Sequence, residues 1–218
     1  ECLYEKVTFF FLILTMHMGL VQLNVSAASV DVPEVEVNHV QASNVESKEA
    51  LNGNCGESVN WSLDTETGVL SITGTGDMQD YTYSSKAPWD DNKDYIKTIN
   101  IEVGVTSIGA NAFSDCVNLT KITIPEGVTK INRKAFFNCS ALPSITIPSS
   151  LNYTGNAAFN ACISLTAVHI SDIAAWCSIN FDCNDTQYSN PLRFAKNLYL
   201  NDTLVTDLVI PEGVTSIS

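Results

Sequence analysis

Cysteine is the residue type in this sequence with the most chemistry to offer. Cys116, Cys139 and Cys162 recur at a step of 23 residues, and Cys55, Cys177 and Cys183 complete six beyond Cys2. Thiolates can form disulfides, carry redox equivalents or ligate zinc, each with its own geometric requirement. Equal spacing works against all of these for the regular set. Residues at the same place in successive stacked strands sit about 4.8 Å apart with parallel Cα–Cβ vectors, a poor arrangement for a disulfide. Tetrahedral zinc needs ligands converging from several directions. A ladder of small buried thiols is therefore expected at Cys116, Cys139 and Cys162. Cys177 and Cys183, six residues apart, are better placed to bridge, and Cys55 has no evident partner.

Carboxylates and histidines add little catalytic potential. Asp90, Asp91 and Asp94 lie close together, but they lack the ligand alternation and turn glycine of a calcium loop, so a solvated face is expected. Asp182, Asn184 and Asp185 read the same way. The histidines are His17, His39 and His169. None has a Ser or Cys nucleophile and an orienting acid in a familiar motif. Gly74–Met78 (GTGDM) lacks the Lys and the following helix of a phosphate loop. No catalytic, cofactor-binding or metal-ligating residue is expected, and no enzyme activity. With 24 Asp+Glu against 11 Lys+Arg, the formal charge is −13, and no run of basic residues offsets it, which excludes nucleic acid as a partner.

The elements that would position these residues come from an internal repeat. Ile96-x-x-Ile99-x-Ile101 recurs as Leu119-x-x-Ile122-x-Ile124, Leu142-x-x-Ile145-x-Ile147 and Leu165-x-x-Val168-x-Ile170, each step 23 residues. Ala112-Phe113, Ala135-Phe136 and Ala158-Phe159 keep the same step. In one unit, period two turns Ile122 and Ile124 inward and Thr123 outward. Pro125 ends the strand because it cannot donate to a ladder, and Gly127 supplies a turn that tolerates positive φ. So short a unit cannot bury its own apolar face, and stacking neighbours must cover it. The fold expected is a β-dominated α/β repeat, a solenoid of 23-residue coils whose parallel strands form a concave sheet.

Alternation predicts the outward row of that sheet: Lys97, Thr98, Asn100, Thr120, Lys121, Thr123, Ser144, Thr146, Thr166 and His169. Short hydroxyls with a few cations, on a chain this acidic, suit hydrogen bonding to an extended extracellular protein or glycan. The competing explanation is that Thr is simply a good strand residue.

The rest of the chain divides around the repeat. Residues 1–28 read as a signal peptide: an apolar run over Val7–Val25 leads to small residues at Ser26-Ala27-Ala28, with Lys6 as the n-region charge. The rival reading is a transmembrane anchor, which Thr15, His17, Gln22 and Asn24 dilute. Once the signal is removed, no membrane insertion is expected. Residues 29–53 form an acidic linker without aromatics. Residues 54–95 form an N-terminal β-hairpin cap, with Trp61, Leu63, Leu70 and Ile72 on one face of a hairpin turning at Asp64–Gly68. Residues 96–218 form the repeat, with an insertion at 171–204 that carries a short capped helix and a hairpin around Asn201-Asp202. The period resumes at Leu208. Because the sequence opens at Glu1 and stops in mid-unit at Ser218, it is expected to be part of a longer one.

These residues resemble a known family, the BspA-like (treponemal-type) leucine-rich repeats of bacterial surface proteins. The resemblance rests on I-T-I-P-E-G-V-T-K-I-N-x-x-A-F-x-N-C-x-x-L at 122–142 and its in-phase copies, on the Cys55–Met78 element, and on A-A-W-C…S-N-P-L…A-K-N-L-Y-L-N. It covers about Cys55–Ser218. The pattern departs at Glu102, where Pro is expected, at Ser150, where Gly is expected, and at Tyr153-Thr154. The resemblance implies a secreted or cell-surface protein and adhesion to host or matrix protein or glycan. It brings no catalytic residues. The alternatives are a stalk that displays another domain and a non-catalytic part of a larger extracellular enzyme.

Overall fold

Alternating apolar residues in short runs, each stopped by Gly, Pro or Asn, make strands the dominant element. The computed structural model describes residues 51–182, 189–207 and Val209. The segments read as signal peptide and most of the linker therefore lie outside the described residues, as do Cys183 and nearly all of the resumed period after Asp207. The strands are β1 (Leu51–Asn54), β2 (Val59–Asp64), β3 (Val69–Gly74), β4 (Gly76–Asp77), β5 (Thr98–Ile101), β6 (Val105–Ile108) and β7 (Lys121–Thr123). They continue as β8 (Lys130–Ile131), β9 (Ser144–Ile147), β10 (Tyr153–Thr154), β11 (Ala167–Ile170), β12 (Asn180–Phe181), β13 (Asn197–Leu200) and β14 (Thr203–Leu204). A six-residue helix, α1, spans Ile173–Ser178.

One face of the molecule carries the order β1-β2-β3-β5-β7, followed by β9-β11-β13-β14; a second face carries β4-β6-β8-β10-β12. Thr98 pairs with Lys121, and Ser107 with Lys130, in parallel register. The first face is interrupted between β7 and β9 for a chemical reason. Thr120 N–H donates to the Lys97 carbonyl (2.9 Å), Thr166 N–H to Pro143 (2.9 Å) and Lys196 N–H to Thr166 (3.1 Å). The residue that should donate to Thr120 is Pro143, which has no N–H.

Between the faces lies an apolar interior. Phe113, Phe136 and Phe159 are fully buried and stack at 5.5 Å centroid spacing. Trp89 lengthens that stack, lying 5.6 Å from Phe113 at an interplanar angle of 20° and donating its indole N–H to the Ala112 carbonyl (2.8 Å). Trp61 and Tyr81 meet Trp89 edge-on. The hairpin expected at the N-terminus is present, with Trp61 opposite Ile72 and Leu63 opposite Leu70. Ile122, expected to point inward, is only half-buried.

Two boundaries differ from the expectation. Leu51, Asn52 and Gly53, assigned to the acidic linker, belong to β1, whose pairing with β2 makes a third antiparallel strand. The segment 171–204 is not an excursion from the repeat but another unit of it. Leu198 lies beside Val168, and Phe181 beside Thr154, so β13 and β12 continue the two faces. That unit is longer because it accommodates α1, whose N-cap Asp172 accepts from Ala174 N–H (2.7 Å) and Ala175 N–H (3.0 Å).

Both single-residue departures from the repeat pattern make bonds. Glu102 has the N–H that proline would lack, and it donates to Ile72 (2.9 Å), tying β5 to the N-terminal strands. Ser150 accepts from Gly127 N–H (2.9 Å) and donates from Oγ to Val128 (2.8 Å).

Candidate binding surface

The registers sort the outward residues of the first face into longitudinal rows. One row runs Ser71, Asn100, Thr123 on the first sheet and Thr146, His169, Tyr199 on the second. A parallel row runs Val69, Thr98, Lys121, then Ser144, Ala167, Asn197. Strand alternation therefore brings Thr98, Asn100, Lys121, Thr123, Ser144, Thr146 and His169 onto one surface. Asn100, Lys121, Thr123 and Thr146 are exposed, whereas Thr98, Ser144 and His169 are half-buried.

Lys97, Thr120 and Thr166 are exposed but lie before the strands, in line with Pro143 and Lys196. Two of their hydroxyls are already engaged. Thr120 Oγ1 donates to Lys97 (3.1 Å), and Thr166 Oγ1 donates to Pro143 (3.2 Å). These threonines link units together, and their hydroxyl protons are not presented to a ligand.

Sequence reasoning missed the aromatic end of the row. Tyr199 stacks on His169 with centroids 4.8 Å apart and planes within 10°. His169 Nδ1 is 3.5 Å from Asp202 Oδ1, in a turn where Asn201 and Asp202 both have positive φ. The sequence signal was the hairpin turn at Asn201-Asp202; the offset of 30 residues between His169 and Tyr199 hid their pairing. The row is thus polar and hydrogen-bonding along most of its length, with an aromatic platform at one end.

The thiols take no part in it. Cys139 Sγ donates to Phe113 (3.2 Å) and Cys162 Sγ to Phe136 (3.1 Å), each reaching the carbonyl of the preceding unit. Cys55, Cys116, Cys139 and Cys162 are buried free thiols. Burial pushes Cys55, Cys116 and Cys162 up to about 12 and Cys139 well above the ordinary value. A thiol that stays protonated is a poor nucleophile. The bridge expected between Cys177 and Cys183 lies in part outside the described residues. Among the described residues no three His, Cys, Asp or Glu side chains converge to hold a metal ion, and no helix is long and apolar enough to cross a membrane.

Residues 91–181 match the family described as BspA type leucine rich repeat region, in six copies. This segment is a BspA-type leucine-rich repeat. No curated protein matches the chain. Among solved structures it is similar to a leucine-rich repeat protein from Eubacterium ventriosum, at 25% identity and a TM-score of 0.48, over 64% of this chain and 42% of that one. It is also similar to a leucine rich repeat protein of T. pallidum, at 16% identity and a TM-score of 0.35, over 52% of this chain and 69% of that one. A leucine rich cell surface protein from Faecalibacterium prausnitzii is similar at 20% identity and a TM-score of 0.31, over 57% and 46% of the two chains. The BspA-type repeat accounts for the β-dominated fold, and leucine-rich repeats are protein-binding modules.

Proposed function

We propose that this chain is an extracellular or cell-surface recognition module. In this reading, residues 51–95 cap a solenoid of 23-residue coils, a signal peptide exports it, and the first face engages protein or glycan. The observation that carries the reading is the pair of rows Ser71–Asn100–Thr123 and Thr146–His169–Tyr199, each held in register by the parallel strands of its own sheet. Solenoids offer such a face as an extended surface, and side chains fixed by a sheet lose little conformational freedom on binding. An extended strand or glycan laid along the row would find donors and acceptors at each coil and a ring surface at His169–Tyr199.

The uniformity of Thr123 and Thr146 supports a second reading, a spacer whose outward residues are interchangeable. One experiment separates the two. Lys121, Thr123 and His169 are replaced together by Glu, and a control carries Glu at Val103, Lys130 and Asn152, exposed residues off this face. Binding to immobilised matrix proteins and glycans is expected to fall at least about tenfold in the first variant and to hold in the control. Equal loss in both, or loss in neither, leaves the spacer.

A further inference from the structure

A groove of about 630 Å³ lies where the N-terminal segment meets the turns of the first two coils, away from the sheet row. Its volume falls within the range of small-ligand sites. It also gathers basic residues scattered along the sequence: Lys86, Lys93, Arg133 and Lys134, four of the chain's eleven Lys+Arg. No local basic patch is visible in one dimension; the fold assembles one.

The acids around it are already engaged. Asp80 accepts from Ala110 N–H (2.6 Å) and Asn132 Nδ2 (2.9 Å). Asp90 holds Lys86 (2.7 Å) and Lys93 (3.1 Å). Asp115 accepts from Asn138 Nδ2 (2.9 Å), with Lys93 at 4.0 Å. Arg133 and Lys134 are left with no ion pair among the described residues. The lining carries four cations against three carboxylates, Asp80, Asp90 and Asp115, so on a chain of net charge −13 the groove is locally basic, with Arg133 and Lys134 outside the ion pairs.

Lys134 is held in an unfavourable backbone conformation. Its φ is +55°, in the left-handed region that long side chains avoid. The equivalent positions in the flanking coils are Asn111 and Ala157. From there the ammonium sits 5.2 Å over the Phe137 ring, at the edge of the groove. The left-handed turn belongs to all three coils, and only this one uses it to carry a charged side chain to the groove.

The groove also has an aromatic rim. Tyr83 is 97% exposed, on a turn closed by Thr82 N–H to Ser85 (2.9 Å) and Ser85 N–H to Thr82 Oγ1 (3.0 Å). A guanidinium binds a carboxylate bidentately, and a ring face covers the apolar face of a sugar. Two cations are too few for a polyphosphate chain. We infer that the groove between the N-terminal segment and the first coils binds an acidic sugar, a hexuronate residue of a glycan, through Arg133, Lys134 and Tyr83.

The test is calorimetric titration of the whole chain with trigalacturonate, galactotriose and hexaglutamate. Three variants accompany it: Arg133→Gln with Lys134→Asn, Tyr83→Ala, and the Glu triple at Lys121, Thr123 and His169. Asparagine is chosen at 134 because Asn111 shows that it suits this backbone. Trigalacturonate is expected to bind, galactotriose at least about tenfold more weakly. The charge variant is expected to lose about tenfold in affinity, and Tyr83→Ala about fivefold, while the Glu triple binds as wild type. No binding of trigalacturonate, equal binding of galactotriose, tighter binding of hexaglutamate, or an affinity untouched by either groove variant would each overturn the inference. Because the Glu triple probes only the sheet face, failure there and failure here are distinguishable.

Discussion

Besides the turn glycines, two positions in each of three coils adopt left-handed backbone, and the residues found there differ in how well they tolerate it. Asn111, Lys134 and Ala157 share φ of 53°, 55° and 57°, and Asp115, Asn138 and Ala161 share 61°, 57° and 64°. Asn and Asp enter this region because their short polar side chains bond locally; alanine has no such compensation. Asn138 also sends Nδ2 to Asp115 Oδ1 (2.9 Å), starting a ladder that Ala161 does not continue. Ala161→Asn is therefore expected to stabilise the protein by about 1 kcal/mol, by relieving left-handed alanine and extending the ladder. Denaturant unfolding is the measurement, and a midpoint at or below wild type would contradict this account.

Neighbouring elements are pinned to one another by side chains 23 residues apart. Glu126, after β7, reaches the turn after β9, accepting from Ser149 N–H (2.9 Å), Ser149 Oγ (3.1 Å) and Ser150 N–H (3.1 Å). Burial works against its charge, but the Ser149 and Ser150 backbone N–H groups and hydroxyls outweigh it and hold the carboxyl below its ordinary value of 4.5. A carboxyl lowered in the folded state contributes stability above its unfolded pKa, and that contribution is lost as pH falls through the folded value. Glu126→Gln should thus cost about 0.5–1 kcal/mol at neutral pH, kept small by solvent screening, with the gap to wild type closing toward pH 3. Unfolding free energies at both pH values check the sign. A gap that stays constant with pH would show that the charge plays no part.

At the scale of the molecule, the N-terminal segment pairs with and covers the first coil. β3 pairs with β5 from Val69–Thr98 to Ile72–Ile101, and Trp89 covers the open side of Phe113. Without residues 51–95, the backbone edge of β5 and a stack of phenylalanines would face water, and an exposed edge recruits other chains. A protein lacking residues 1–95 is expected to self-associate or unfold, which light scattering and circular dichroism would report. A monomeric, folded truncation would refute the capping role. A smaller change probes the same joint. Trp89→Ala removes a side chain that is 1% exposed and should cost about 3–5 kcal/mol.

What the sequence determined by itself is the part of the fold that repeats. The step from Ile99 to Ile122 and from Phe113 to Phe136 is a one-dimensional property, and alternation within each strand assigns Thr123 and Ile124 to opposite sides without any partner. The same alternation assigns Asn100, Thr123 and Thr146 to the exposed side, whereas Lys97, Thr120 and Thr166 lie before the strands. The break at Pro143 emerged only with the strand pairing, although its cause, a residue without an N–H that cannot extend the ladder, is local. Only the tertiary structure decided the features that depend on contacts of irregular spacing. The elongated unit places Tyr199 on His169 across 30 residues, where a search for steps of 23 is blind. Trp89 joins a phenylalanine stack from outside the repeat, and Asp80 reaches Asn132 across 52 residues. Lys86, Lys93, Arg133 and Lys134 share one groove because the N-terminal segment folds back over the first coils. Such contacts follow from how unlike segments pack, and packing is settled by shape and burial in three dimensions.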